Sequence, residues 1–164
     1  MATAWDYIAI VIFIAFSAFF SGSEIAYASV NELRLKKAAE AENGNKLAKL
    51  AYSIYSNYDD ALITILIGNN LVNIASSSVA TVIAIDIMGD KGTWVATAIM
   101  TVIILTFGEI VPKIIAVQTA FNFTQIASIP LKVLMIITFP IVWVIQRVLK
   151  ALDKLIKKED EEPA

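Results

Sequence analysis

The sequence predicts an all-α membrane protein with three transmembrane helices, a kinked juxtamembrane helix and a cytoplasmic helical hairpin. Hydrophobic residues make up 58% of the 164 residues, and the mean hydropathy is +0.71. Only 17% of the residues are charged, and these lie mostly between long apolar runs. Each run is close to the roughly 20 residues that a helix needs to cross the hydrocarbon layer of a bilayer. This composition is typical of a helical membrane domain.

Four apolar segments follow one another along the chain. The first three, residues 5–30, 61–87 and 94–117, predict membrane spans. The fourth contains Pro130, Lys132 and Pro140, which remove backbone hydrogen bonds or place a charge in lipid. We therefore expect a kinked, partly inserted juxtamembrane helix over about residues 122–148 instead of a fourth span.

The distribution of basic residues predicts the orientation in the plasma membrane. The loop between the first two spans carries five basic residues, namely Arg34, Lys36, Lys37, Lys46 and Lys49. The link between the second and third spans carries Lys91 against Asp86 and Asp90. The positive-inside rule therefore places the long loop and the C-terminus in the cytoplasm and the N-terminus outside. A polar turn at residues 43–45 divides the long loop into two helices on the membrane surface.

Composition also excludes several classes of function. The chain has no cysteine and no histidine, so it has no disulfide and no thiolate or imidazole ligand. Four aspartates, Asp59, Asp60, Asp86 and Asp90, flank the predicted spans, and no aspartyl pair suited to intramembrane catalysis lies at membrane depth. We expect no enzyme and no nucleic-acid partner, and any bound metal to be held by oxygen.

Each predicted span contains one cluster of polar residues. The clusters are Ser21-Gly22-Ser23-Glu24, Gly68-Asn69-Asn70 with Asn73, and Gly108-Glu109 with Pro112-Lys113. Polar and ionisable groups at such depth are costly and face a bundle interior or an ion path. We predict that each cluster interrupts its helix. The candidate metal ligands are Ser21, Ser23, Asn70, Asn73, Gly108 and Glu109, and the supporting residues are Gly22, Glu24, Asn69, Pro112 and Lys113.

The third cluster gives a physical reason for ion binding. Pro112 has no N–H, so the carbonyl of Gly108 loses its helical donor next to the Glu109 carboxylate. Transporters coordinate cations with such unwound carbonyls and polar side chains. Together with serine and asparagine oxygens, this set suits a hard cation such as magnesium, sodium or calcium, and it does not choose among them.

Structural roles compete with these assignments. Gly68 and the serines at 76–78 are typical of helix packing. The three asparagines of the second cluster are either ion ligands or an interhelical hydrogen-bond cluster. Lys113 either pairs with Glu109 one turn away or extends toward the cytoplasmic boundary.

Three stretches of the chain resemble the signature stretches of the transmembrane domain in the CorC/CNNM family. They are Phe-Phe-Ser-Gly-Ser-Glu at 19–24, Leu-Ile-Gly-Asn-Asn-Leu-Val-Asn at 66–73, and Phe-Gly-Glu-Ile-Val-Pro-Lys at 107–113. The resemblance covers nearly the whole chain in order and spacing. It implies a dimeric domain that exports magnesium in exchange for sodium. By position, the ion-site elements of the family fall on Ser21, Asn70 and Glu109, with Gly22, Ser23, Gly108 and Pro112 shaping broken helices.

The resemblance also implies a division of the chain. Residues 1–148 would form the transport domain, and residues 149–164 a charged cytoplasmic tail or a linker to a CBS-pair regulatory domain that is not part of this sequence. Magnesium would be the transported ion, sodium the coupling ion, and membrane lipid and a second copy of the chain the partners. A cation channel and a non-transporting magnesium sensor or scaffold are the alternative functions.

Overall fold

The computed structural model describes residues 1–160, with side chains to residue 157, and this part of the chain is helical throughout apart from short connections. The prediction of an all-α protein is confirmed. The elements in order are α1 (Ala4–Ser29), α2 (Glu32–Glu40), α3 (Lys46–Ser56), α4 (Tyr58–Met88), a 3₁₀ turn (Gly89–Lys91), α5 (Gly92–Ile103), a π-helix (Ile104–Ile110), α6 (Val111–Gln118) and α7 (Ala120–Asp160).

Three helical regions are long and apolar enough to cross a membrane: Ala4–Ser29, Tyr58–Gln118 and Ala120–Lys157. The second region is a hairpin, because Gly89 adopts a φ of 68° and α5 packs back along α4. The chain is therefore a multi-pass membrane protein whose passes are α1, α4 and the continuous α5–π–α6 segment.

The start of helix α7 and its later part around Gln146 lie at the same end of the bundle. Near its start, the carbonyl of Thr124 accepts a hydrogen bond of 2.8 Å from the Tyr27 hydroxyl, close to the end of α1. Further along, Gln146 donates a hydrogen bond of 2.9 Å to Asp60 in the first turn of α4, which lies at that same end. This path agrees with a partly inserted juxtamembrane helix. The helix also continues through residues 149–160; residues 161–164 lie outside the described residues, and the domain division stays a prediction.

The predicted helical hairpin between the first two spans is confirmed as α2 and α3. The side chain of Asn31 caps α2 by accepting from the N–H of Arg34 at 2.9 Å, and Asn45 caps α3 in the same way. The hairpin docks on the start of α7, where the Arg34 guanidinium lies 4.0 Å from the centre of the Phe121 ring. Its cytoplasmic location stays a prediction.

Helix α1 lies at the centre of the bundle, in contact with α4, the π-helix, α6 and α7. One core cluster joins α1 to α3, α4 and α7 through buried side chains, among them Phe20, Tyr27, Ile54, Ile65 and Leu131. The position of α1 means that its polar face is enclosed by the other spans and not by lipid.

The prediction that the first two polar clusters interrupt their helices is wrong. Helices α1 and α4 continue without a break through Gly22 and Gly68. A Cβ atom at Gly22 would lie 2.6 Å from the Phe123 ring, and one at Gly68 would overlap the Phe20 ring. These glycines therefore serve close packing against aromatic rings, which outweighs their low helix propensity of about 1 kcal/mol relative to alanine.

This packing predicts the effect of enlarging Gly22. Gly22→Val should lower the free energy of unfolding by about 1–3 kcal/mol, because the new side chain meets the Phe123 ring. Ala28→Val is the matched control, since Ala28 is exposed on the same helix. The thermal unfolding midpoint of the detergent-solubilised protein measures the difference, and equal midpoints for the two variants would contradict the packing role.

Candidate cation site

Three membrane passes meet at a buried polar contact centred on Ser17. Its Oγ donates a hydrogen bond of 3.0 Å to Oδ1 of Asn69 in α4 and lies 3.5 Å from the carbonyl oxygen of Gly108 in the π-helix. A Cβ atom at residue 108 would lie 2.8 Å from Ser17 Oγ, so glycine permits this approach. We refer to Ser17, Asn69 and Gly108 as the Ser17 layer. It supports the hydrogen-bonding interpretation of Asn69.

Ser17 itself is absent from the residues that the sequence singled out. It lies four residues before Ser21, and residues at this spacing share one face of a helix. Because Glu24 follows Ser21 by three residues, all three side chains lie along one stripe of α1. That spacing is the signal that identifies Ser17.

Ser21 presents a free oxygen to the interior of the bundle. The residue is fully buried, and its Oγ has no hydrogen-bond partner among the described residues. Ser23 is also buried on the same helix, yet its hydroxyl donates 2.7 Å to the carbonyl of Phe19. An unpaired buried polar group costs about 1–3 kcal/mol. Ser21 therefore has unused ligand capacity, whereas the hydroxyl hydrogen of Ser23 is already engaged.

Asn73 presents a second free oxygen. Its Oδ1 is buried and, in the part of the chain that the structure describes, has no hydrogen-bond partner. The neighbouring candidate Asn70 is exposed, and its amide donates 2.9 Å to the carbonyl of Leu66. Both asparagines line a groove of about 390 Å³ on the outer side of α4, together with Ile74, Ser77, Ser78 and Thr81. Asn73 thus lies between the interior of the bundle and this groove.

The two free oxygens lie on opposite sides of the Ser17 layer. Helices α1 and α4 are antiparallel, since Tyr58 bonds to the Glu24 carbonyl at one end and Asp86 accepts from the N–H of Ala2 at the other. Ser21 follows Ser17 by one turn, and Asn73 follows Asn69 by one turn, so each lies about 6 Å from the layer in opposite directions. A single cation therefore does not contact both oxygens in this conformation.

The third cluster has the irregular backbone that the sequence predicts. Residues Ile104–Ile110 form a π-helix, which ends with the N–H of Val111 bonded to the carbonyl of Thr106, five residues earlier. Pro112 follows in the first turn of α6. Pro112 cannot donate to the Gly108 carbonyl, which lies 3.5 Å from Ser17 Oγ, and the single hydrogen of that hydroxyl is directed at Asn69. This carbonyl keeps its capacity to bind a cation beside Glu109, which is partly exposed.

Lys113 has a partner that neither sequence interpretation foresaw. Its Nζ lies 3.5 Å from Oε2 of Glu24, so the pair joins α6 to α1. Both side chains are partly exposed, and the pair is worth little as a stabilising contact. Among the described residues, Glu109 makes no ion pair. The Glu109 side chain therefore has no cationic partner in the part of the chain that the structure describes.

The chemistry of the site follows from this inventory. Within residues 1–157 no group of three or more acidic, histidine or cysteine side chains gathers to hold a metal. The Ser17 layer itself offers neutral oxygens, and Glu109, the residue after Gly108, is the carboxylate next to it in sequence. Oxygens of these kinds are ligands for a hard cation. The individual ligand roles stay predictions.

A model of the family described as the Cyclin M transmembrane N-terminal domain matches residues 8–164. The chain belongs to the CorC/CNNM family. The resemblance seen in the three motifs is thereby confirmed, and a cation transporter-like membrane domain is consistent with it. This is not a known enzyme family.

Curated relatives of this CorC/CNNM domain are longer proteins. The chain is 39% identical over 150 residues to a UPF0053 protein of Haemophilus influenzae, covering 92% of the chain and 35% of that protein. It is 34% identical over 139 residues to the UPF0053 inner membrane protein YfjD of Escherichia coli, covering 85% and 32%. It is also 34% identical over 132 residues to a chloroplastic DUF21 domain-containing protein of Arabidopsis thaliana, covering 80% and 20%. The chain thus spans about a third or less of these relatives.

Because the hydroxyl of Ser21 is unpaired, we expect its removal to have an unusual effect on stability. Ser21→Ala should leave the free energy of unfolding unchanged or raise it, because it removes an unpaired buried group. Ser17→Ala should lower it by about 1–2 kcal/mol, because Asn69 then loses its buried partner. Chemical denaturation in detergent measures both values, and a clear loss of stability in Ser21→Ala would show that its hydroxyl has a structural partner.

Proposed function

We propose that this domain transports magnesium out of the cell across the plasma membrane in exchange for sodium. The observation that carries the proposal is the pair of buried oxygens, Ser21 Oγ and Asn73 Oδ1, which lack hydrogen-bond partners among the described residues. They lie on two of the three polar clusters and flank the layer that includes the Gly108 carbonyl. Export and sodium coupling come from the family resemblance, and the inner membrane location of YfjD supports the choice of membrane.

The proposed ligands are the oxygens of Ser21, Asn73, the Gly108 carbonyl and Glu109. One carboxylate with neutral oxygens suits magnesium, which prefers octahedral oxygen coordination, and sodium accepts the same kinds of ligand. The resemblance places Asn70 in the ion site and gives Ser23 the role of shaping a broken helix. Both side chains already make hydrogen bonds to carbonyls of their own helices. We therefore assign Asn73 a larger part than Asn70, and Ser21 a larger part than Ser23.

The Ser17 layer suggests how access to the ion alternates. Ser21 faces the half of the bundle that contains the ends of α1 and α6, and Asn73 faces the other half. The 3.0 Å bond between Ser17 and Asn69 lies between them. A hydrogen bond of this kind contributes about 1 kcal/mol, so modest separation of α1 from α4 would open the layer and let an ion pass from the oxygens on one side to those on the other.

The outer face of α4 supports a homodimer. Asn70, Ser77 and Ser78 are exposed, and Thr81 is half-buried, along a membrane-spanning helix. Polar groups there are unfavourable against lipid tails, and small polar residues pack well between helices. We propose that a second copy covers this face, that the N-terminus lies outside and the C-terminus in the cytoplasm, and that longer family members add a cytoplasmic CBS-pair domain.

Flux through proteoliposomes tests the proposal. With magnesium enclosed and a sodium gradient imposed, an indicator dye should report saturable, sodium-dependent efflux from vesicles that contain the wild-type chain. Glu109→Gln and Ser21→Ala should each reduce the rate about tenfold or more, because a charged or polar ligand contributes roughly 1.5–3 kcal/mol. Glu42→Gln on the exposed hairpin linker and Ser76→Ala, whose buried hydroxyl already donates to the Val72 carbonyl, are the matched controls and should retain wild-type rates.

The outcomes separate the alternatives. Wild-type flux in Glu109→Gln would remove the core of the proposal. Magnesium binding without flux would identify a sensor, and efflux that neither saturates nor depends on sodium would identify a channel.

A further inference from the structure

A cleft separates the start of α4 from the middle of α7, away from the Ser17 layer. It consists of two adjoining cavities of about 390 and 500 Å³, which share Asn57, Asp60, Phe139 and Val142. Volumes of this size are typical of small-molecule sites. The cleft lies at the membrane boundary, because α4 begins at Tyr58 directly after the surface hairpin.

The cleft contains charges of both signs that are not paired with one another. Asp60 and Lys132 line one cavity, and Asp59, Asp60 and Lys150 line the other. Among side chains 1–157, none of these four groups makes an ion pair. Gln146 donates 2.9 Å to Oδ1 of Asp60, which holds that carboxylate toward α7 and leaves its second oxygen available. Asp60 and Lys132 are partly buried, and Asp59 and Lys150 are exposed. Unpaired charges at a membrane boundary favour an occupant that compensates them.

The remaining lining is apolar and aromatic. Met135, Ile136 and Phe139 continue from Lys132 along the same face of α7, and Trp143 follows one turn later. The guanidinium of Arg147 stacks 4.7 Å from the centre of the Trp143 ring. Tryptophan and long basic side chains are enriched at the level of lipid headgroups. The occupant therefore has a charged end and an apolar end.

We propose that this cleft binds a phospholipid whose headgroup carries both a phosphate and a primary ammonium. Asp59 and Asp60 accept hydrogen bonds from the ammonium, Lys150 pairs with the phosphate, and the acyl chains lie along Phe139 and Ile136. The bound lipid bridges the first turn of α4 and the returning part of α7. This site is independent of the proposed magnesium transport.

Native mass spectrometry of the purified chain in detergent tests the proposal. Lipids with identical acyl chains but different headgroups are titrated: phosphatidylethanolamine, phosphatidylcholine, which has no N–H on its ammonium, and phosphatidylglycerol, which has no ammonium. The wild-type chain should bind phosphatidylethanolamine at least about tenfold more tightly than the other two lipids. Neither of those lipids can donate a hydrogen bond from an ammonium group to the aspartates. Equal affinities for the three lipids would overturn the proposal without any mutation.

Paired variants locate the site. Asp59→Asn with Asp60→Asn should reduce the preference for phosphatidylethanolamine over phosphatidylcholine to less than about twofold, whereas Lys150→Met should weaken all three lipids about tenfold or more. Asp90→Asn with Lys91→Met, in the turn at the other end of α4, is the control and should retain wild-type selectivity. Unchanged selectivity in the aspartate variant, or a cleft closed by a second copy that excludes lipid, would refute the assignment.

Discussion

The hydrogen bond between Ser17 and Asn69 is the contact on which the arrangement of the bundle interior depends. It joins α1 to α4 at 3.0 Å, and the bare Cα of Gly108 lets the π-helix approach the same hydroxyl. A side chain at residue 108 would push the third pass away from α1. Because α1 also touches α6 and α7, this layer fixes the positions of the polar groups on either side of it.

The unpaired oxygens of Ser21 and Asn73 are the energetically unfavourable feature of this interior. Other serines in the spans satisfy their hydroxyls on their own helices, as Ser23, Ser76 and Ser78 do by donating to the carbonyl four residues earlier. Two unpaired buried oxygens together cost several kcal/mol by typical values, about 1–3 kcal/mol each. Sites that keep such groups unpaired are commonly sites of function, since a ligand then supplies the missing partner.

The sequence predicts the spans well because hydropathy is a local property. The predicted span 5–30 corresponds to the observed helix Ala4–Ser29, and the predicted span 61–87 corresponds to Tyr58–Met88. The irregular third cluster was also foreseen, because the missing N–H of Pro112 acts within its own helix. The packing role of Gly68 was predicted too, although not its partner Phe20. The roles of Gly22 and Lys113 were not predicted, since they depend on Phe123 and Glu24, whose positions are set by tertiary packing. Ser17 was missed although its spacing from Ser21 marks it.

Anomalous diffraction from crystals of the chain grown with Mn²⁺, which accepts the same octahedral oxygen ligands as Mg²⁺, tests the central claim most directly. The account predicts an anomalous peak next to the Ser17 layer, within about 2.0–2.3 Å of the Glu109 carboxylate and of Ser21 Oγ or Asn73 Oδ1. Excess Mg²⁺ should abolish this peak. Ordered Mn²⁺ elsewhere, with no peak near these oxygens and their side chains still unpaired, would contradict the assignment of the cation path to α1, α4 and the π-helix.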